Sequence, residues 1–138
     1  MKGLPTLIRV RTWALEEKRR KVADLEALEA QLIEAIARLD DEVQIENQVA
    51  GNDTGASFTY GSYISAAIER RRTLDESVVD VRRQIEAARE EVTIAYQELK
   101  KFEVAHSNRK RRAQTEANRR EQIVLDEIGL EGFRRRSS

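Results

Sequence analysis

The stretch that decides the fold is residues 22–57, VADLEALEAQLIEAIARLDDEVQIENQVAGNDTGAS. Its apolar residues fall on the a and d positions of one heptad repeat: Val22, Leu25, Leu32, Ile36, Leu39 and Val43. The repeat stops at Gly51 and Asn52, residue types that tolerate the left-handed conformation with which many helices end. This pattern predicts a long helix with one narrow apolar seam, followed by a turn.

The seam extends in both directions from this stretch. The same frame continues towards the N-terminus through Leu15, Ile8 and Leu4. A second frame follows the turn, and its a and d positions include Ile64, Leu74, Val78, Val81, Ile85, Val92, Leu99 and Phe102. Two narrow seams of this kind are typical of helices that bury their apolar stripes against each other.

These observations predict an all-α protein with a single coiled-coil domain over residues 1–138. We expect helix one at about 5–50, a turn at about 51–58, helix two at about 59–128 and a basic tail at 129–138. A short connection between helices favours antiparallel neighbours, so we expect a two-helix hairpin whose second helix extends past the first. A parallel homodimer is the alternative, but it would leave the interruption at 51–58 without a purpose.

The composition argues against an enzymatic function. The 138 residues include 36% charged and 5% aromatic residues, one proline, one histidine and no cysteine. There is no phosphate-binding glycine loop and no metalloprotease motif, and a two-helix protein offers no desolvated pocket for catalysis. His106 falls on the seam as a polar residue where the pairing ends, and a single histidine does not form a metal site. We therefore predict a protein that is not an enzyme and needs no cofactor or metal.

Charge is segregated along the chain although the formal net charge is zero. Residues 1–21 carry seven basic and two acidic residues, residues 22–106 nine and eighteen, and residues 107–138 nine and five. The three segments therefore have net charges of +5, −9 and +4. In a hairpin the two basic segments meet at the same end, which would present positive charge to a partner.

Neither the interior of the chain nor its beginning has the features of a membrane or secreted protein. No apolar run approaches the roughly 20 residues that cross a bilayer. The opening MKGLPTLIRVRTW has no apolar core of the signal-peptide type. We expect a cytoplasmic protein.

The seam is interrupted by charge. Arg11, Lys18 and Glu29 occupy seam positions in helix one, and Arg71 occupies one in helix two. Such residues weaken a coiled coil but fix its register, and their long side chains can reach solvent while their stems stay packed. After Phe102 the seam lapses, and apolar seam residues return only at Ile123 and Leu130. Residues 107–130 should therefore be the least stable part of the fold.

Two further clusters stand out from the seams. Trp13 falls on the outer face of helix one, accompanied by Leu7, Val10 and Ala14 at helical spacing, and we interpret these four residues as a binding surface. The alternative is that the second helix covers Trp13. The aromatic residues just after the turn could close the end of the core or contact a partner.

The segment NRKRRAQTEANRRE, residues 108–121, looks like the basic region of a bZIP protein. In a bZIP protein, however, the zipper follows the basic region, whereas the long seam here precedes it. Arginine clusters bind nucleic acid weakly through charge alone. Nucleic-acid binding is therefore retained only as an alternative.

The N-terminal part of the chain, LPTLIRVRTWALEEKRRKVADLEALEAQL, is its most distinctive sequence. Its Leu-x-x-Leu-Ile-Arg-x-Arg opening followed by EEKRR, the single turn and the basic C-terminal stretch resemble the flagellar export protein FliJ and its counterparts in virulence type III secretion systems. This resemblance implies a coiled coil similar to the rotor stalk of F- and V-type ATPases. It also implies a terminal end that enters the ring of a hexameric export ATPase, with contacts to a membrane export gate and to export chaperones.

The resemblance, combined with the charge map, suggests two binding regions. The ATPase-binding residues would be Arg9, Arg11, Trp13, Arg19, Arg20, Arg109, Lys110, Arg111, Arg112, Arg119 and Arg120. Gate or chaperone binding would fall to Phe58, Tyr60, Tyr63, Arg70, Arg71 and Arg72. The protein would then be peripheral to the cytoplasmic face of the membrane through the export apparatus. A generic structural coiled-coil adaptor remains the other alternative.

Overall fold

The computed structural model describes residues 3–52 and 57–137. These residues form two α-helices, α1 (Gly3–Asn52) and α2 (Ser57–Ser137). The predicted all-α fold, with two long helices packed against each other, is confirmed.

The helices are longer than the sequence suggested. α1 continues past Ala50 to Asn52, and α2 begins at Ser57 and continues through the predicted tail to Ser137. Gly129 and Gly132 do not end α2, because glycine weakens a helix by only about 1 kcal/mol relative to alanine. Arginines in the last turn also stabilise the negative end of the helix dipole. Within the predicted turn, residues 53–56 lie outside the described residues.

The chain packs as two units. The central unit is Ala14–Ala95, and the terminal unit combines Met1–Trp13 with Tyr96–Ser138. The buried side chains of the central unit are Leu15, Leu39, Ala67, Val78, Val81, Ile85 and Ala88, and those of the terminal unit are Leu4 and Leu99. Every one of them occupies an a or d position of the two frames, so the seams are the core of each unit.

Ion pairs across the two helices fix the register of the central unit. Glu29 accepts a hydrogen bond from Arg82 at 2.9 Å, and Glu26 accepts one from Arg89 at 3.1 Å. Towards the start of α1, the ammonium nitrogen of Lys18 lies 3.3 Å from a carboxylate oxygen of Glu91. As the residue number on α2 increases from 82 to 89 and 91, the number of its partner on α1 decreases from 29 to 26 and 18. The two helices of this unit are therefore antiparallel.

The four charged seam residues all contact the opposite helix within their own unit. Lys18 and Glu29 do so through the pairs just described, and Arg71 pairs with Asp40. In the terminal unit the guanidinium of Arg11 lies 5.6 Å from the centre of the Phe102 ring, within cation–π range. Partly exposed pairs add little stability, so their main effect is on register. A parallel homodimer would instead place each of these charges opposite its own copy.

A shallow apolar groove of about 230 Å³ interrupts the core of the central unit. It is lined by Leu39, Asp40, Val43, Ile64, Ala67, Ile68 and Arg71. The groove exists because Ala67 is small for a seam position and because Arg71, the next seam residue, is engaged by Asp40.

Filling this groove should stabilise the protein. We expect Ala67→Leu to raise the free energy of unfolding by about 0.5–1 kcal/mol, because the added carbons bury apolar surface in space that is empty. Ala88→Leu is the matched control: Ala88 is only 1% exposed, and overpacking there should cost about 1–3 kcal/mol. Chemical denaturation of both variants measures the difference, and equal effects would contradict this description of the groove.

Glu91 gives the central unit a pH-dependent contact. Hydrogen bonds from Lys18, and then from Lys21, lower the pKa of Glu91 below its ordinary value. A folded-state pKa below the unfolded one means that the contact stabilises the fold above the unfolded pKa and is lost as pH falls through the lowered value.

We expect Glu91→Gln to lower the melting temperature at pH 7 and to have little effect at an acidic pH below the lowered pKa of Glu91, where the carboxylate is protonated. Thermal unfolding followed by circular dichroism at both pH values tests this. An equal loss at both would show that the charge of Glu91 is irrelevant.

Candidate functional site

The first candidate surface is an apolar stripe on α1 in the terminal unit. Leu7, Val10 and Trp13 are 42%, 54% and 65% exposed. The alternative that the second helix covers Trp13 is therefore wrong. Ala14, the fourth residue of the predicted stripe, is half-buried and belongs to the central unit. The three exposed residues leave a tryptophan and two aliphatic side chains available to a partner.

The predicted cations of α1 differ in their surroundings. Arg9 is exposed, forms no ion pair within the described residues and lies one helical turn before Trp13. Arg11 is held over Phe102. Arg19 and Arg20 belong to the central unit, where Arg20 donates to Glu17 at 2.7 Å. Arg9 is thus the α1 cation that the terminal unit presents beside the apolar stripe.

The cations of α2 divide into a free group and a compensated group. Arg109, Lys110 and Arg112 are exposed and form no ion pair within residues 3–52 and 57–137. Arg111 donates to the neutral amide oxygen of Asn108 at 2.7 Å, so its charge is also uncompensated. Residues 109–112 therefore present four positive charges without a carboxylate partner in one turn of α2.

Arg119 and Arg120 are compensated because they share one carboxylate. Glu116 accepts hydrogen bonds from Arg119 at 2.7 Å and from Arg120 at 3.3 Å. The contact with Arg119 lowers the pKa of Glu116 and raises that of Arg119. These two arginines contribute less to the field than their number suggests.

The second candidate surface lies in the central unit, near the start of α2. Tyr60 and Tyr63 are half-buried and Arg70 is exposed, whereas the side chain of Phe58 lies outside the described residues. Partial burial and the carboxylates of Glu42 and Glu46 raise the pKa of Tyr63 above its usual range. Tyr63 is therefore a neutral hydroxyl that can donate a hydrogen bond at physiological pH.

The arginines of this surface are not equivalent. Arg71 pairs with Asp40 and also lies 3.6 Å from Asp75, and the hydrogen bond to Asp40 raises its pKa. Arg72 donates to Glu69 at 2.8 Å. Arg70 forms no ion pair in the described part of the chain. Arg71 thus contributes to the register of the two helices, and Arg70 is the cation most available to a partner.

A third surface was missed by sequence reasoning, which followed only the seam positions Ile123 and Leu130. None of the described residues after Leu99 is buried. The last part of α2 exposes six large apolar side chains: Ile123, Val124, Leu125, Ile128, Leu130 and Phe133. Four of the six lie off the seam, and this excess of apolar residues at other heptad positions was the available signal.

The whole chain, residues 1–138, matches the family model described as flagellar FliJ protein. The chain belongs to the flagellar FliJ family. Comparison with curated proteins and with solved structures gives no match. The resemblance in the N-terminal sequence is therefore confirmed at the level of the family.

Membership of the FliJ family identifies a component of flagellar protein export. Within the described residues, neither helix has a segment with the length and apolar character needed to span a bilayer. The same residues bring together no cluster of three or more His, Asp or Glu side chains that could hold a metal ion. What this FliJ-family chain offers a partner is thus a set of exposed charged and apolar surfaces.

Proposed function

We propose that this FliJ-family protein is the non-enzymatic stalk of a flagellar or type III export apparatus. Its terminal unit inserts into the ring of a hexameric export ATPase and promotes the assembly and activity of that ring. Its central unit links the ATPase to the export gate and to substrate chaperones. The protein works at the cytoplasmic face of the membrane without crossing it.

The observation that carries this proposal is the combination of free charge and exposed apolar surface in the terminal unit. Residues 109–112 present four cations without a carboxylate partner, and Trp13 is 65% exposed. Positive charge steers a partner with an acidic lumen, and a buried tryptophan is among the strongest anchors of protein interfaces. The +5 and +4 segments supply the steering field.

The second proposed binding region is the surface near the start of α2. Tyr60, Tyr63 and Arg70 offer aromatic area, a hydroxyl donor and a free cation beside the apolar groove. Aromatic and arginine side chains are enriched where proteins bind each other. We assign this surface to gate or chaperone binding.

The proposal is tested with the purified protein and its cognate export ATPase. ATP hydrolysis and ring formation, measured by phosphate release and by light scattering after size exclusion, should both increase when the protein is added. A generic coiled-coil adaptor would change neither. A nucleic-acid-binding protein would instead retard duplex DNA in a gel at about 0.15 M salt.

A further inference from the structure

One side of the central unit leaves apolar side chains in solvent. Residues seven apart in an α-helix lie on the same side of it, because seven residues complete almost two turns. Two such rows run beside the seam, one on each helix. The row on α1 contains Leu28, Ala35, Glu42 and Val49, and the row on α2 contains Tyr63, Arg70, Ser77 and Gln84. We call these eight residues the side face.

The two rows border the same side of the hairpin. Lys21 is the residue that precedes the α1 row, Glu91 is the residue that follows the α2 row, and their charged atoms lie 3.4 Å apart. Leu28 and Val49 are 41% and 53% exposed, and Ile45, which borders the face, is 59% exposed. An apolar stripe that widens from two to three heptad positions is typical of helices in bundles. The side face therefore has the pattern of a surface that packs against further helices.

The two charges of the side face are complementary to each other. Glu42 and Arg70 lie at nearly the same level along the hairpin, because Asp40 of α1 pairs with Arg71 of α2. Neither Glu42 nor Arg70 forms an ion pair within residues 3–52 and 57–137. An acid on one helix and a base on the other, at one level, make the face complementary to its own copy under a two-fold rotation.

We infer that the central units of two copies of this chain associate through their side faces into a four-helix bundle. The α1 helix of each copy lies along the α2 helix of the other, so that Glu42 of each copy pairs with Arg70 of the other and Val49 packs against Tyr63. This association goes beyond the proposed function and does not depend on it. Because it covers Tyr63 and Arg70, a gate or chaperone that binds these residues would compete with the second copy.

Other occupants fit the side face less well. A bilayer would remove water from Glu42 and Arg70 without giving either of them a partner of opposite charge. An unrelated protein would have to supply a cation for Glu42 and a carboxylate for Arg70, at the right separation. A second copy supplies both groups in one two-fold arrangement.

Charge reversal combined with mixing tests the association in the full-length protein. Sedimentation equilibrium of the parent protein should show a reversible equilibrium between monomer and dimer. Glu42→Arg and Arg70→Glu each place like charges opposite each other in the dimer, so each variant alone should have a dissociation constant at least about tenfold higher.

An equal mixture of the two variants should form a dimer again, because the cations at positions 42 and 70 of one variant then meet carboxylates at positions 70 and 42 of the other. Recovery on mixing cannot come from a change within one chain. A parent protein that stays monomeric at all concentrations overturns the inference. A mixture that associates no better than the separate variants also overturns it.

A matched pair of variants tests the apolar part of the side face. Ile45→Ser/Val49→Ser should weaken dimer formation by about tenfold or more. The control Ile33→Ser/Ile68→Ser removes side chains of similar exposure, 45% and 62%, from the other side of the seam and should associate like the parent protein. Equal weakening in both variants, or in neither, would contradict the inference, with circular dichroism used to confirm that both variants are folded.

Discussion

Reversing the charge at two free arginines, Arg109→Glu/Arg112→Glu, is expected to reduce stimulation of the export ATPase by about tenfold or more. These residues lack ion pairs in the described chain, so the change lowers the net charge of residues 109–112 from +4 to zero. Because both side chains are exposed, the variant should fold normally. ATP hydrolysis at increasing stalk concentration measures the effect.

The control for this prediction is a variant that changes the net charge of the protein by the same amount as Arg109→Glu/Arg112→Glu. Arg38→Glu/Arg83→Glu reverses two exposed arginines of the central unit, and the ion pair of Arg38 with Glu34 that it breaks contributes little stability. This variant should stimulate like the parent protein. Equal loss in both variants would mean that total charge, and not the position of residues 109–112, determines binding. The parent's stimulation should also weaken above about 0.15 M salt.

Truncating the side chain of Ile85 should produce a large loss of stability. Ile85 is 4% exposed in the seam of the central unit, and Ile85→Ala should lower the free energy of unfolding by about 2–4 kcal/mol. Ile94→Ala deletes the same atoms from a side chain that is 54% exposed and should change stability by no more than about 0.5 kcal/mol. Urea denaturation compares the two, and similar losses would contradict the seam as the core.

The heptad frames predicted the core because burial in a two-helix protein depends on position in the repeat. Val81, Ile85 and Leu99 were all identified by spacing, and all are buried. The small seam residues Ala67 and Ala88 are buried too, although their size gave no apolar signal. Spacing therefore locates the core even where the side chain is small.

The roles of individual charges could not be read from the sequence, because they depend on which residue the antiparallel register places opposite. Arg71 and Arg70 are neighbours of the same type, yet one pairs across the helices with Asp40 and the other forms no ion pair in the described residues. Within α2, Glu116 lies about one turn from both Arg112 and Arg119, and only the side-chain conformations show that it pairs with Arg119 and not with Arg112. The predicted end of α2 at about 128 was wrong because two isolated glycines do not outweigh the helix-forming residues around them.

The orientation of the stalk in the ring is the most direct test of the proposed function. A photo-crosslinking amino acid replaces either Trp13 in the terminal unit or Tyr63 in the central unit, and each protein is irradiated with the export ATPase. We predict that the probe at position 13 forms a covalent adduct with the ATPase and that the probe at position 63 does not. An adduct from position 63 but none from position 13 would contradict insertion of the terminal unit.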